Sequence, residues 1–209
     1  MKHSQAGFTL VEIAIVLVII GLLLGGALKG QELIHSAKAK AVAAEFRNTA
    51  TMIAAYQDRF RAMPGDDRAA TTHLGGSANG NGNGTIDGAW NSTALSNPDG
   101  SPAESTYVWQ HLRLANLAPG SAASPSAGDW EPRNAEGGRI GIQSATPFTG
   151  MRGRVFVCQD NISGRIAQQV DTTMDDGKPD EGAVRFGSAL GSAASTVDDN
   201  QSYIICTGL

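Results

Sequence analysis

The chain has 209 residues and a formal net charge of −4, with 26 glycines and only 17% charged residues. This length suits one globular domain with an additional element better than two full domains, and the glycine content predicts long loops. The acidic residues are spread through the second half and no basic cluster stands out, so the composition argues against nucleic acid as the partner.

The first predicted element is an apolar helix that follows a short polar leader at residues 1–7. Residues 8–28 are almost continuously apolar, and as a helix they would be about 30 Å long, enough to span a bilayer. An ordinary secretory signal has a shorter apolar stretch followed by a small-residue cleavage site, whereas this run continues into a polar helix. We therefore expect a membrane helix here rather than a segment removed by signal peptidase.

The junction between the leader and this helix carries a specific motif. Residues 7–12 read GFTLVE, and this string resembles the processing signal of the type IV pilin and type II secretion pseudopilin families. The resemblance implies that a prepilin peptidase cuts after Gly7 and methylates the new N-terminal residue, Phe8. It also implies a single-pass precursor in the inner membrane, an inner-membrane assembly platform as partner, and a final place in a surface pilus or a periplasmic pseudopilus. Only Lys2 precedes the span, whereas three lysines follow it closely, Lys29, Lys38 and Lys40, so the count of positive charges opposes this orientation, which rests on the resemblance.

Glu12 is the one charged residue within the apolar run. A charged side chain at the centre of a membrane helix costs on the order of 2.5–3.5 kcal/mol, so such a residue by default marks function and needs a partner. The pilin resemblance implies that Glu12 pairs with the free amine of Phe8 on a neighbouring subunit and sets the register of a filament. The alternative is that Glu12 snorkels to the lipid headgroups, because it lies only four residues from the expected mature terminus.

Four glycines, Gly21, Gly25, Gly26 and Gly30, occupy the later part of this helix at small-xxx-small spacing. Small residues at this spacing let neighbouring helices approach closely in a membrane or in a filament core. Each glycine also weakens a helix by roughly 0.8–1.0 kcal/mol relative to alanine, which predicts local unwinding when a subunit leaves the bilayer. The alternative is that glycine is simply common in membrane helices.

Residues 29–62 continue the helix with an amphipathic pattern. Val42, Phe46, Ile53, Tyr56 and Phe60 recur at spacings of three, four or seven, so this stripe is expected to pack on a domain. The residues 63–67, MPGDD, then end the helix. A continuous helix over residues 8–62 would measure about 80 Å, which no small domain buries, so half of it is expected to protrude.

The remaining residues, 63–209, are predicted to form a globular head. Residues 65–101 are rich in Gly, Asn, Ser and Asp, which predicts a long surface excursion with little regular structure. Residues 101–104 read SPAE, a capping box that predicts a second helix ending near residues 118–120. Further on, the sequence predicts a third helix at 162–174 and four strands, at 139–143, 152–158, 183–187 and 202–206. Antiparallel strands across the end of the long helix give the α+β class that the pilin resemblance implies.

The two cysteines, Cys158 and Cys206, are far apart in the sequence and form no C-x-x-C pair that would indicate a zinc or redox motif. The residues alone leave open a disulfide, which an oxidising compartment would favour, and two buried free thiols. The pilin resemblance favours the disulfide, because many pilins carry a C-terminal disulfide loop. In the chain-entropy model such a bond contributes around 4 kcal/mol.

One segment resembles part of a calcium-binding loop. Asn79, Asn81, Asn83 and Asp87 stand at the first, third, fifth and ninth places of a sequence that looks like the start of an EF-hand loop. The first three are amides rather than carboxylates, and Trp90 occupies the twelfth place, where a bidentate Glu is needed. A turn-rich loop is therefore the favoured interpretation over a Ca²⁺ site.

A second candidate for Ca²⁺ is an acidic group near the predicted end of the third helix. It consists of Asp171, Asp175, Asp176 and Asp180. Acids at a helix C-terminus oppose the helix dipole, and acids four residues apart repel each other, unless a cation lies between them. Solvated surface acids are the alternative, and the group ranks above the asparagine loop as a metal site. No other cofactor is indicated.

Catalysis finds no support in the sequence. The four histidines, His3, His35, His73 and His111, lie in different predicted elements, with no nucleophile motif or paired carboxylates near them in the sequence. The sequence therefore predicts a structural subunit rather than an enzyme. The alternatives are a pseudopilin of a type II secretion system and a membrane-anchored module that binds a surface, DNA or a glycan through a pilin-like anchor.

Overall fold

The computed structural model describes residues 9–75, 78–98, 100–123 and 130–209. Within these ranges a long N-terminal helix is followed by a small antiparallel sheet with shorter helices, so the predicted α+β class is confirmed. In chain order the elements are α1 (Leu10–Phe60), α2 (Ala70–Leu74), α3 (Glu104–Leu114), β1 (Ile140–Gln143), β2 (Phe156–Ser163), α4 (Gly164–Met174), β3 (Val184–Gly187) and β4 (Ser202–Gly208).

The chain divides into two compact units, and the boundary lies inside α1. The first unit ends at Ala37, and the second runs from Lys38 to Leu209. The first unit therefore holds the apolar part of α1, whereas the second holds the rest of α1 and all the other elements. This boundary falls within the predicted amphipathic part of the helix, residues 29–62.

Within the second unit, one face of α1 is buried at helical spacing. The buried positions include Val42, Phe46, Ile53 and Tyr56, and Phe60 packs against the same core while partly exposed. The predicted stripe is therefore confirmed, as expected for an amphipathic helix that packs on a sheet. The helix ends at Phe60 because the next residue, Arg61, adopts a left-handed conformation with φ of 55°.

The four strands form one sheet in the order β1-β2-β4-β3, and all neighbouring strands run antiparallel. Successive residues of a strand point to opposite faces of a sheet, and both faces of β4 are occupied. On one face Tyr203 and Ile205 join the main core with α1, α3 and α4. On the other face Ile204 and Cys206 lie in a second, smaller cluster.

The disulfide joins the two central strands on this second face. Cys158 and Cys206 are direct cross-strand partners of β2 and β4, with Cα atoms 4.1 Å apart, and both are fully buried. Loop residues Trp90, Phe148 and Met151 cover the bond. The predicted disulfide is confirmed, and the loops that cover it are part of the core.

The second helix exists, but the predicted capping box is wrong. Helix α3 begins at Glu104, its N-cap residue is Ala103, and no side chain caps it. Ser101 instead accepts a hydrogen bond from the side-chain amide of Asn97 at 3.0 Å. The Glu104 carboxylate accepts backbone N–H groups from the preceding loop, so both box residues have partners that lie outside the helix.

The second predicted strand and the third helix are displaced along the chain. Strand β2 continues to Ser163, whereas the sequence predicted a strand at 152–158 and a helix from residue 162. Ile162 pairs with Tyr203 of β4 and is fully buried, so it satisfies a strand pattern and a helical pattern equally well. The hydrophobic pattern alone cannot decide between the two.

The prediction that residues 65–101 form a surface excursion with little regular structure holds for most of the described part of the segment, but it missed the residues that anchor the loop in the core. Asp66, Asp67, Ile86 and Trp90 are all buried, and α2 interrupts the loop. The polar composition of this segment was interpreted as a sign of solvent exposure. Some of its backbone N–H groups instead donate hydrogen bonds to buried carboxylates. A loop that meets its hydrogen-bonding needs internally can lie against the core.

Candidate functional site

The apolar part of α1 is the largest exposed hydrophobic surface among the described residues. Large aliphatic side chains are exposed along it from Leu10, at 87%, to Ile34, at 57%. The helix here is long and apolar enough to cross a membrane, and none of the most apolar stretch is buried within the chain. Soluble proteins rarely expose apolar patches of this extent, so the surface requires lipid or protein partners.

Glu12 closes the N-terminal end of this helix together with Thr9. The carboxylate Oε2 accepts hydrogen bonds from Thr9 N at 2.8 Å and from Thr9 Oγ1 at 2.7 Å. In return, the backbone N–H of Glu12 donates to Thr9 Oγ1 at 3.3 Å. This reciprocal pair is a capping box, which satisfies N–H groups that have no partner within the helix.

Thr9 is a functional position that the sequence reasoning missed, although the signal was present. Residues 9–12 read TLVE, which matches the S/T-x-x-E pattern directly before an apolar run. Glu12 was interpreted as a partner for an amine on another subunit, or as a residue that snorkels to the headgroups, and not as part of a helix cap. The structure gives the carboxylate a partner within its own chain, while Gly7 and Phe8 lie outside the described residues.

The four glycines of α1 lie in unbroken helix. A Cβ atom added at Gly21, Gly25, Gly26 or Gly30 would meet nothing within 4 Å. The fold of the single chain therefore does not require glycine at these positions. The roles in helix packing and in local unwinding stay predictions.

The asparagine loop is organised by hydrogen bonds within the protein. The side-chain oxygen of Asn79 accepts the backbone N–H of Thr71 at 2.9 Å. The side-chain amides of Asn81 and Asn83 both donate to Asp87 Oδ2, at 2.9 and 3.1 Å. The Asp87 carboxylate is thus occupied by amide donors, and the Asn79 oxygen is occupied by the backbone of α2.

Two buried acids, absent from the sequence-based candidates, hold this loop in place. Asp66 accepts the backbone N–H groups of Asn83 and Gly84, at 3.0 and 2.8 Å. Glu104 accepts those of Asn81 and Asp87, at 2.8 and 3.0 Å. These carboxylates are buried yet well supplied with donors, which is the arrangement that makes a buried charge tolerable.

Three of the four acids near the end of α4 come together. Asp171, Asp175 and Asp176 each place a carboxylate oxygen within 4.8 Å of the others. Asp171 is fully buried, whereas Asp175 and Asp176 are exposed. Asp180 is not part of this group and lies in the turn that leads to β3.

A buried polar network that the sequence reasoning did not foresee lies beside α1. The carboxylate Oδ2 of Asp67 accepts the Tyr56 hydroxyl and contacts His73 Nδ1, each at 2.8 Å. Burial alone would raise the pKa of Asp67, but the hydrogen bonds from His73, the Ala69 N–H and Tyr56 outweigh it and lower that pKa. The network ties the segment after α1 back to the helix.

His111 of α3 completes this region and is buried as a neutral imidazole. Its Nδ1 accepts the backbone N–H of Gly65 at 2.9 Å, and its Nε2 lies 3.0 Å from the carbonyl oxygen of Ala78. Burial lowers the pKa of His111 to about 4, although the Ala78 carbonyl and the charge of Asp67 act in the opposite direction. The histidine is thus a structural bridge between α3 and the two loop segments.

This shift predicts a specific acid sensitivity. Between pH 6.5 and about 4 the unfolded state binds more protons at His111 than the folded state does, so the free energy of unfolding falls as the pH falls. The full contribution of this group is about 3 kcal/mol. The variant His111→Gln lacks this contribution, so its stability is expected to fall less steeply with acid.

The measurement is urea unfolding of both proteins across this pH range. Glu45 and Asp171, whose pKa values burial raises to about 7, contribute stability at low pH in both proteins. The effect of His111 is therefore the difference between the two proteins in the slope of unfolding free energy against pH. Equal slopes in the two proteins would contradict the assignment of a neutral buried imidazole.

Comparison with known proteins identifies the N-terminal segment. Residues 2–28 match the family described as the prokaryotic N-terminal methylation motif, which is the type IV prepilin-type signal. The match covers the leader, the capping box and the apolar stretch up to Leu28. Comparison of the whole chain with curated proteins and with solved structures finds no significant match. The chain therefore carries the N-terminal signal of type IV prepilins, which points to a membrane-anchored structural subunit.

Proposed function

We propose that the chain is a type IV pilin-like structural subunit that prepilin peptidase cleaves between Gly7 and Phe8 and that then assembles into a pilus or pseudopilus. The observation that carries the proposal is the methylation motif at residues 2–28, whose apolar part forms the first turns of a helix of membrane-spanning length. The precursor resides in the inner membrane, and an inner-membrane platform transfers the processed subunit into the fibre.

The exposed apolar surface of α1 supports assembly through this helix. In the bilayer its aliphatic side chains contact lipid, and in a fibre they contact the same helix of neighbouring subunits. Both environments remove apolar surface from water at about 25 cal/mol per Å², so transfer from one to the other keeps that stabilisation. The helix therefore serves as membrane anchor first and as fibre core afterwards.

Glu12 supplies the specificity that apolar contact lacks. Apolar surfaces slide past each other with little cost, whereas a carboxylate in apolar surroundings requires a cation at a defined place. Cleavage after Gly7 would create the ammonium group of Phe8, four residues from Glu12. Pairing of this group with Glu12 of a neighbouring subunit fixes the axial register.

The loops of the head favour a role as a minor or specialised pilin over a role as a major pilin. Its loops are long, and several of them fold back to cover the second face of the sheet. Such loops offer surfaces that vary independently of the helix that assembles. The function proposed for the head is interaction at the fibre surface and not catalysis.

Intact mass of the full chain tests the proposal. In a host with active prepilin peptidase, we expect a product that lacks residues 1–7 and carries one added methyl group, whereas a peptidase-deficient host yields the full precursor. The variant Gly7→Asp is expected to remain uncleaved, because it alters the residue on the N-terminal side of the scissile bond. Ala6→Ser is the matched control and is expected to be processed normally. An unprocessed wild-type chain in the active host would refute the proposal.

A further inference from the structure

Asp171 differs from the buried acids Asp66, Asp67 and Glu104 in the way its charge is balanced. Asp66, Asp67 and Glu104 each accept two or more hydrogen bonds. Asp171 is 0% exposed, and neither of its carboxylate oxygens has a hydrogen-bond partner. An ionised carboxylate buried without donors costs several kcal/mol, so a missing positive partner is the natural explanation.

The surroundings of Asp171 add negative charge. Oxygens of Asp175 and Asp176 lie within 4.8 Å of an Asp171 oxygen, at the C-terminal end of α4 where the helix dipole is also negative. Burial, followed by the charges of Asp176 and Asp175, raises the pKa of Asp171 to about 7. The Gly177 N–H acts in the opposite direction but does not reach hydrogen-bond geometry.

The cationic side chains nearby have other partners. The ammonium group of Lys178 donates to Glu181 at 2.7 Å. The guanidinium group of Arg185 on β3 donates to the carbonyl oxygen of Thr149 at 2.7 Å. Lys178 also attracts Asp176 electrostatically, but among the described residues no Lys or Arg forms an ion pair with the three clustered acids, so their negative charge is only partly balanced.

The two exposed carboxylates are held in place by the backbone. Asp175 Oδ2 accepts the N–H groups of Ala183 and of Val184, the latter at 2.9 Å. Asp176 Oδ1 accepts the N–H of Lys178 at 2.9 Å. Ligands whose positions are already fixed lose little entropy when an ion binds.

We infer that Asp171, Asp175 and Asp176 form a binding site for a hard divalent cation, with Ca²⁺ as the favoured ion. Ca²⁺ takes six to eight oxygen ligands at about 2.3–2.6 Å, so oxygens on either side of the ion lie up to about 5 Å apart, which agrees with the spacing here. Water molecules would complete the coordination on the exposed side. The inference does not depend on the proposed role of the N-terminal helix.

Binding at this place would connect elements that the chain joins only by a turn. Asp171 belongs to the last turn of α4, and Asp175 is hydrogen-bonded to the first residue of β3, Val184. An ion that contacts both would fasten the end of the helix to the edge strand of the sheet. The site thus couples cation concentration to the stability of this side of the head.

Thermal unfolding of the full chain in detergent micelles tests the inference, with CaCl₂ compared against EDTA above neutral pH. We expect Ca²⁺ to raise the Tm of the wild type, with an apparent Kd of about 10⁻⁴–10⁻³ M, as in extracellular calcium modules. In EDTA, Asp171→Asn is expected to unfold at a higher temperature than the wild type, because it removes an unbalanced buried charge at nearly constant shape. The same variant is expected to lose the response to Ca²⁺.

Asp180→Asn is the matched control, since it removes an acid of the same segment that lies outside the cluster, and it should respond to Ca²⁺ like the wild type. If Asp171→Asn does not fold, the exposed variant Asp176→Asn takes its place and is expected to weaken binding at least tenfold. Equilibrium dialysis with ⁴⁵Ca²⁺ measures binding directly. No binding and no Tm shift in the wild type would overturn the inference, as would an undiminished response in the cluster variants.

Discussion

Replacing Glu12 by glutamine is expected to reduce incorporation of the chain into fibres by at least about tenfold, corresponding to a loss of 1.4 kcal/mol or more per subunit contact. Glutamine preserves the size of the side chain but carries no charge to attract an ammonium group. It also supports the capping box with Thr9, because glutamine at this position of the motif serves as well as glutamate. The helix itself is therefore expected to remain intact in the variant.

The variant Glu12→Gln is informative because its expected effect on membrane insertion is opposite to its expected effect on fibre assembly. A neutral side chain enters a bilayer more easily than a carboxylate, so Glu12→Gln should insert and be processed at least as well as the wild type. A defect confined to assembly then separates a missing interaction between subunits from a missing precursor. Quantitative immunoblotting of sheared fibres and of the membrane fraction provides both measurements.

Glu32→Gln is the matched control for this experiment. Glu32 lies on the same helix, is exposed, and pairs with Lys29 at 2.7 Å. An exposed pair of this kind contributes little to stability, so the control is expected to assemble normally. Wild-type levels of Glu12→Gln in fibres would show that the carboxylate does not set the register of assembly.

Loss of the disulfide is expected to have the second largest effect. The double variant Cys158→Ala/Cys206→Ala frees a loop closed across 48 residues of sequence, which costs about 4 kcal/mol in the chain-entropy model. Single domains have a free energy of unfolding of only about 5–15 kcal/mol, so the head would lose a large share of its stability. Alanine avoids placing a new polar group at two fully buried positions.

Urea unfolding followed by tryptophan fluorescence measures this loss. The midpoint is expected to fall strongly in the double variant, and addition of a thiol reductant during unfolding should lower the midpoint of the wild type towards the same value. The variant serves as its own control, because a reductant should leave its midpoint unchanged. Identical midpoints for the oxidised and the reduced wild type would contradict a stabilising role of the bond.

The helix and the strands could be predicted because their patterns are local. The stripe from Val42 to Phe60 repeats over several turns, so a single misplaced residue does not change the interpretation. The capping box predicted at residues 101–104 failed because Ser101 and Glu104 found partners in the preceding loop. Local motifs compete with tertiary contacts, and only the folded chain shows which partner is preferred.

The candidate sites depended even more on contacts between distant residues. Nothing in the order of residues shows that Asp66 and Glu104 supply acceptors to the asparagine loop, since they lie on either side of it in the sequence. Likewise, Asp171 and Asp180 look equivalent as sequence, yet one is fully buried and the other lies outside the cluster. The capping box at Thr9 and Glu12, by contrast, is local and could have been found from the sequence.

The position of β4 determines when the head can fold during synthesis. Strand β4 lies between β2 and β3, so the strand of this sheet that comes last in chain order is central to it. Until residues 202–208 have left the ribosome, β3 lacks its neighbour and Cys158 lacks its bonding partner. The four-stranded sheet and the disulfide can therefore be completed only after translation of this strand.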